Sequence, residues 1–259
     1  MINRIKEIYA YREMIASLVK RDLKGRYKGS VLGFLWTFIN PLLQLLVYTL
    51  VFSEIMRSGI EDYYMFLFVT LIPWIFFSTS FSGGANCVLD QQNMIQKIYF
   101  PREVLPIAFV TSQFINMLLS FLVVFAVMIV MGYSFSALAL LCLPIIMIVE
   151  YILSLGLAML MSAICVYFRD LGYLASIVAM AWQFLTPVLY DVSMVPEKFM
   201  MLFRLNPMTS VIIAYRDILY YAKVPEMSTL LTAALVGIGA LAIGWFTFDK
   251  LQKRFVEEL

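Results

Sequence analysis

The stretch MINRIKEIYAYREMIASLVKRDLKGRYKGSVL, residues 1–32, runs directly into GFLWTFINPLLQLLVYTLVFS, residues 33–53. The first piece carries eight Lys and Arg residues, and the second carries no charged side chain at all. An uncharged apolar run of about 20 residues is long enough for a helix to cross the hydrocarbon of a bilayer. The junction therefore marks a basic segment held at a membrane surface and the start of a span, and the surface where Lys and Arg collect is the cytoplasmic one.

Working outward, five further apolar runs follow at 63–85, 105–131, 137–166, 173–190 and 228–248, the one at 173–190 being the shortest. Hydrophobic residues make up 63% of the 259 and charged residues only 14%, against about 25% charged in soluble domains. The runs are continuous rather than alternating with period two, which favours helices over a barrel. The expected fold class is an all-α integral membrane protein with six transmembrane helices, one domain over residues 1–259. With six spans both ends lie on one side. That side collects fourteen Lys and Arg, and the other holds five: Arg57, Lys198, Arg204, Arg216 and Lys223. This asymmetry places both termini in the cytoplasm. The basic N-terminal segment has no apolar core of the kind a cleavable signal needs, so the first span is expected to act as the targeting signal.

Composition also excludes chemistry. The chain has no histidine, which removes imidazole catalysis and histidine metal ligation. Cys142 and Cys165 sit in one apolar run about 35 Å apart at helical rise, and Cys87 lies at a span edge, so no disulfide framework is expected. No Gly-x-x-x-x-Gly-Lys-Ser/Thr loop is present, so the chain lacks the usual cradle for ATP phosphates. No metal or cofactor is expected in this chain, and nothing in it suggests a nucleic-acid partner. Any ATP-driven motor, with its ATP and Mg, belongs to another subunit.

The segment before the first span has helical sidedness. Lys6, Glu13, Ser17, Lys20, Arg21 and Lys24 fall on one arc of about 100°, opposite Ile5, Ile8, Ile15, Leu18 and Val19. An amphipathic interfacial helix on the cytoplasmic leaflet is predicted, with Arg12 and Asp22 interrupting its apolar face. A simple basic anchor on anionic lipid and a specific gating or head-group role both fit that pattern. Between spans two and three, residues 86–104 mix Asp90, Gln91, Gln92, Asn93, Gln96 and Lys97 with Leu89, Met94, Ile95 and Ile98. That predicts a short cytoplasmic helix with a docking face. Between spans five and six, residues 191–227 contain two Pro-marked amphipathic pieces, one from Pro196 and one after Asn206-Pro207. They are too apolar for free loop and too charged for a buried span, and are expected to lie along or dip into the outer face.

Three constellations stand out. Phe34, Phe38, Tyr48 and Phe52 share one face of the first span. Such a stripe suits either ordinary lipid contact or a conduit for a sugar polymer, whose apolar ring faces stack on aromatics. Trp36-Thr37-Phe38-Ile39-Asn40-Pro41 is echoed by Trp182-Gln183-Phe184-Leu185-Thr186-Pro187. The echo is either coincidence or the mark of two proline-kinked helices with a shared task. Glu150 is the one ionisable residue near the middle of a run, with Gln113, Asn116 and Gln183 as candidate partners. A structural, hydrogen-bonded Glu is favoured over a proton relay, which would need further acids. The outer carboxylates Asp191, Glu197, Asp217 and Glu226 are unevenly spaced, and read as solvated charges more readily than as an acid/base pair of an integral membrane enzyme acting on a lipid-linked sugar.

Several motifs occur in order along the whole chain: Arg26-Tyr27-Lys28-Gly29-Ser30-Val31-Leu32-Gly33-Phe34-Leu35-Trp36 with Asn40-Pro41, then Lys97-Ile98-Tyr99-Phe100-Pro101-Arg102, Tyr167-Phe168-Arg169-Asp170, Thr186-Pro187-Val188-Leu189-Tyr190 and Asn206-Pro207. In this the chain resembles the membrane (permease) subunits of ABC exporters for O-antigen, capsule and teichoic acid polymers. The resemblance implies a homodimer around a continuous channel, two copies of a cytoplasmic ABC ATPase below it, and a lipid-linked polysaccharide moved across the bacterial inner (cytoplasmic) membrane. It further implies that residues 1–32 form a cytoplasmic gate helix, that 86–104 is the coupling loop, and that re-entrant outer helices occupy 191–227. In such proteins spans one and five line the path, which would put Phe34, Phe38, Tyr48 and Phe52, with Trp182, Phe184 and Tyr190, along the channel.

On that implied mechanism Arg26, Lys28 and Arg169 are the expected cations for the lipid pyrophosphate head group. Asn93, Gln96, Lys97, Tyr99, Phe100 and Arg102 are the expected ATPase-coupling residues. Gly237 and Gly239 are expected to allow close helix contacts. A permease for a small lipid or drug is the nearest alternative, differing in cargo only. A secondary transporter would need inverted repeats, whereas the internal echo runs in one direction.

Overall fold

Backbone inside hydrocarbon has no water to bond, so each apolar run closes its hydrogen bonds within itself as a helix. The computed structural model describes residues 2–25, 29–57 and 59–258, and among these the regular elements are all helical. In chain order they are α1 (Ile2–Ala10), α2 (Arg12–Gly25), α3 (Trp36–Thr49), α4 (Tyr63–Asn86), α5 (Gln92–Lys97) and α6 (Val104–Val130). Then follow α7 (Ala137–Tyr167), α8 (Leu171–Phe184), α9 (Met200–Leu205), α10 (Pro207–Leu219), α11 (Met227–Leu251) and α12 (Phe255–Glu258). A π-helical turn, Leu50–Ile55, prolongs α3. Five stretches are long and apolar enough to span a membrane: Gly33–Ile55, Tyr63–Asn86, Val104–Val130, Ala137–Tyr167 and Met227–Arg254.

The run expected as a span over 173–190 departs from this. Its helix, α8, has 14 residues and is about 21 Å long at 1.5 Å per residue, short of the roughly 30 Å of hydrocarbon. Residues 185–190 continue as turns. Their carbonyls are bonded by side chains from elsewhere in the chain, so this backbone does not need helical partners.

The centre of the bundle is α4, buried along most of its length from Tyr63 to Ala85 and in contact with α3, α6, α7, α8 and α10. It has almost no amphipathic bias because neighbours cover it all round. The tightest pairing is α7 with α11. A Cβ on Gly244 would sit 2.0 Å from the Gly156 carbonyl oxygen, and one on Gly156 would sit 2.4 Å from the Leu241 nitrogen. Membrane helices gain no hydrophobic drive from each other, and small residues let their backbones touch instead. Gly237 also faces α7, with Val149 oxygen 3.3 Å from its would-be Cβ, whereas Gly239 meets nothing within 4 Å. Of the two glycines picked from sequence, one packs inside the chain and the other is open.

Side-chain contacts sort the element ends into two groups. At one end Arg4 pairs with Asp249 at 3.4 Å, Arg102 donates to the Gln252 carbonyl at 2.9 Å, and Tyr167 donates to the Leu251 carbonyl at 2.9 Å. The opposite end gathers Tyr133, which donates to Asp62 at 2.5 Å, and Tyr220, which donates to the Glu61 carbonyl at 2.6 Å.

The amphipathic segment is two helices, not one, broken at Tyr11. Lys6, Glu13, Ser17, Lys20, Arg21 and Lys24 are all exposed, Ile8, Ile15 and Leu18 are half-buried, and Val19 is buried. The predicted arcs hold for these residues, and the side chain of Ile5 lies outside those described. The two residues that interrupted the apolar face differ: Asp22 accepts a hydrogen bond from Ser112 of α6, while Arg12 stays exposed over the Tyr9 ring. The segment packs by α2 on α6, so its apolar face meets protein.

Candidate functional site

At the end of the bundle that holds both tails lie α5 and its flanks, the segment expected to dock. Asn93, Gln96 and Lys97 are exposed, and Tyr99 is 81% exposed. Phe100 is 4% exposed and belongs to the core, anchoring the loop rather than presenting a surface. Arg102 is half-buried and reaches the Gln252 carbonyl. Gln252 in turn donates to Glu103 at 2.8 Å and to Asp249 at 3.1 Å. Asp249 is the partner of Arg4, and Arg21 of α2 donates to Gln91 at 2.8 Å. The loop is thus tied to α1, α2 and the end of α11 through side chains. Cys87, beside this loop, is buried, and burial pushes its thiol up, away from the reactive thiolate.

The expected channel residues lie on α3 and the helical turns at its two ends, on α8 and in the turns after α8. Phe34 is exposed and meets Phe38 edge-to-face at 5.3 Å. Tyr48 and Phe52 are half-buried, with Phe52 stacked on Tyr63 at 6.0 Å. The stripe therefore changes along the helix, from open at its start to packed on α4 at its end. Trp182 is half-buried and edge-on to Phe77 and Phe81 at 5.1 and 5.6 Å. Phe184 is 56% exposed. Tyr190 donates to the Phe184 carbonyl at 2.6 Å and packs edge-on to Phe203. Arg169 is exposed in the turn between α7 and α8. Arg26 and Lys28 lie outside the described residues.

The two Trp-to-Pro echoes do different work. Pro41 lies inside α3 and leaves the Thr37 carbonyl without its helical donor, and Ser120 of α6 approaches that oxygen at 3.4 Å. Pro187 follows the end of α8, where the chain leaves the helix. Here Asn206 donates to the Leu185 carbonyl at 2.9 Å, and Arg216 donates to the Pro187, Val188 and Tyr190 carbonyls at 2.8, 3.3 and 3.5 Å. Thr70 and Tyr63 of α4 donate to Val188 and Leu189 at 3.2 and 2.8 Å.

Asn206 also caps α10 by accepting from the Met208 amide at 3.0 Å, accepts from the Trp182 indole at 2.9 Å, and donates to the Thr186 hydroxyl at 2.8 Å. Asn206→Ala is expected to cost about 2–4 kcal/mol, a lost cap plus unsatisfied partners. A thermal unfolding midpoint unchanged in the purified chain would contradict this.

Glu150 finds none of the partners expected from sequence. Tyr215 of α10 donates to it at 2.6 Å and stacks on Phe121 at 5.7 Å. The reason is that α10 packs among α4, α7 and α11, bringing its tyrosine to the mid-length of α7. Asp217 lies near enough to Glu226 and Asp191 to feel their charges, and Lys223 and Arg216 beside it offset them. Asp191 accepts from the Ser193 amide, and Glu226 precedes α11 and meets Ser228. Among the described residues no group of three or more acidic or Cys side chains is placed to hold a metal. Sequence reasoning missed Arg216, which it counted as an outer-surface charge; the signal was one Arg within the apolar helical pattern VIIAYRDIL, residues 211–219.

Comparison with known proteins joins these features to a family. Residues 13–220 match the family described as ABC-2 type transporter. The chain is similar to the O-antigen export system permease protein RfbA of Myxococcus xanthus, 37% identical with all of both chains covered. It is also similar to the protein of the same name from Klebsiella pneumoniae, 33% identical over 95% of each. More distant is the polysialic acid transport protein KpsM of Escherichia coli, 21% identical over 89% of this chain and 90% of that one. A multi-pass helical bundle without a phosphate loop of its own, matched over most of its length, belongs to the ABC-2 type transporter membrane family.

Proposed function

We propose that this chain is the permease half of an ATP-driven exporter that carries a lipid-linked cell-surface polysaccharide from the cytoplasm across the bacterial inner membrane. The observation that carries this is its full-length similarity to a protein named as an O-antigen export permease. Hydrolysis of ATP belongs to a separate ATPase subunit, two copies of which dock under a homodimer of this chain.

Six crossings and cytoplasmic tails are part of the same reading. The Arg4–Asp249 pair brings the two tails together, which requires an even number of crossings. The path from Gly172, set against Asn86, to Leu189, bonded to Tyr63, supplies the sixth as a short helix plus turns. The end of the bundle with the tails is also the basic end, which supports its cytoplasmic placement. On this reading α9 and α10 re-enter from the outside and close the exit, and α1 and α2 gate the entrance. The large exposed side chains of α3 and α8, among them Phe34, Trp36, Tyr173 and Phe184, support a path walled by these two helices from two copies.

Exposed Asn93, Gln96, Lys97 and Tyr99 make the ATPase contact, and Phe100 and Arg102 hold the loop so that its displacement is passed on. Tyr99→Ala with Lys97→Ala is expected to lower export at least about tenfold while membrane insertion and folding stay intact, since both side chains are exposed. Export at the wild-type rate would remove the loop from the coupling role. Arg26, Lys28 and Arg169 receive the pyrophosphate head group as cationic donors. The test of the whole reading is ATP-driven movement of a lipid-linked glycan into vesicles containing this chain and its ATPase. Transport that continues without the ATPase, driven by an ion gradient, would overturn it.

A further inference from the structure

A half-open cavity of about 480 Å³ lies between α3, α4 and α6, within the range of roughly 300–1,000 Å³ that holds a small ligand. Six uncharged polar side chains from three helices meet there: Thr37 and Asn40, Thr79, and Gln113, Asn116 and Ser120. Two rings, Trp36 and Phe76, and four apolar side chains make up the rest of the wall, and none of the described lining residues carries a charge. Counting helical rise from the ends that share the tails, these residues lie about 5–25 Å into the bundle. Polar side chains at such depth are costly and turn toward protein or a polar path. Here they gather on one void. Asn40 is exposed, an open amide about 10 Å beyond the start of its span. The Trp36 indole is held by donation to Ser30 at 3.1 Å, with 42% of the residue exposed.

We propose that this cavity is a neutral-sugar subsite, taking one or two uncharged sugar rings of the exported glycan in the cytoplasmic half of the membrane; it rests on the export reading above. Amides and hydroxyls match the mixed donor and acceptor pattern of sugar hydroxyls, and an aromatic face accepts the apolar face of the ring. Among the described lining residues there is no Lys or Arg. A phosphate or zwitterionic head group would find no counter-charge among those residues, which is costly in a low-dielectric site. The Thr79 hydroxyl already donates to the Ile75 carbonyl at 2.6 Å, so it meets a ligand as an acceptor. Ser120, donating to the Thr37 carbonyl, does the same. The sugar-hydroxyl donors therefore have fixed acceptors awaiting them, and the subsite orients a ring before it reaches the path beside α3.

The test uses the full chain in lipid nanodiscs prepared without glycoside detergent. Tryptophan fluorescence is titrated with octyl β-glucoside below its micellar concentration, with octanol, and with octyl phosphate. A saturable change with the glucoside alone is expected. It should disappear in Trp36→Phe and shift to about tenfold weaker binding in the double variant Asn40→Leu, Thr79→Val. Asn40 is exposed and Val is nearly isosteric with Thr, so that variant keeps its fold, checked by its unfolding midpoint. A saturable change of equal strength with octanol or octyl phosphate, unaltered affinity in the folded double variant, or no saturable change overturns the subsite. Methyl glucoside binding as well as the octyl glycoside supports a ring taken from along the polymer; binding of the octyl glycoside alone supports the sugar of a glycolipid. ATP-driven export without glucoside binding sinks this subsite and leaves the export reading standing. Binding without export sinks the export reading and leaves a sugar site.

Discussion

A chain carrying Arg216→Leu is expected to fail to accumulate as a folded membrane protein, and Arg216→Lys to recover it only in part. Arg216 is 3% exposed, with its guanidinium 3.7 Å over the Phe66 ring. Its fork is the side-chain donor to the Pro187 and Tyr190 carbonyls, while Val188 keeps a second donor in Thr70. Leucine leaves the first two oxygens buried without those bonds, at about 1–3 kcal/mol each, and removes the ring contact. The sum, about 3–8 kcal/mol, is comparable to the whole stability of many domains. Lysine keeps a charge but is a single point without the planar fork, so it cannot serve carbonyls on both sides. The measurement is the monodisperse fraction of detergent-extracted chain and its unfolding midpoint. Wild-type values for Arg216→Leu would show that other contacts hold residues 185–190.

The second large effect is expected at Gly244. Alanine there already drives a methyl group against the Gly156 carbonyl, 2.0 Å from its oxygen and 2.8 Å from its carbon. Both atoms are backbone, so no rotamer change makes room, and α7 must separate from α11. A cost of about 3 kcal/mol or more is expected for Gly244→Ala, and loss of folded protein for Gly244→Leu. Gly239→Ala, on the same helix with nothing within 4 Å, is the internal control. It should be neutral or gain up to about 1 kcal/mol from helix propensity. Equal unfolding midpoints for the Gly239 and Gly244 alanine variants would refute the close crossing.

Legibility divided by the range of the interaction. The Asn206-Pro207 turn and the helix after it could be read because capping is settled within a few residues: Asn206 bonds the Met208 amide and proline takes the first helical position. The faces of the N-terminal segment were readable for the same reason. Its break at Tyr11 was not, since nothing in the residue types there forbids a helix. The exposed half of residues 86–104 followed from its alternation of polar and apolar residues. Phe100 and Arg102 did not follow, because whether they face out depends on tertiary packing, for Arg102 on the Gln252 carbonyl 150 positions away.

By itself the sequence determined that this is a helical membrane protein, where four of its spans begin and end within about two residues and where a fifth begins, and which end is basic. Those properties depend on backbone that must bond within its own segment in hydrocarbon and on a local excess of Lys and Arg. Only the tertiary structure decided that the fifth apolar run stops at Phe184, that Arg216 is interior, that Glu150 belongs to Tyr215, and that six polar residues of α3, α4 and α6 enclose one cavity. Each of these is a pairing between residues distant in the chain, and burial and hydrogen-bond demand are set by what packing brings alongside, which no local pattern of residues encodes.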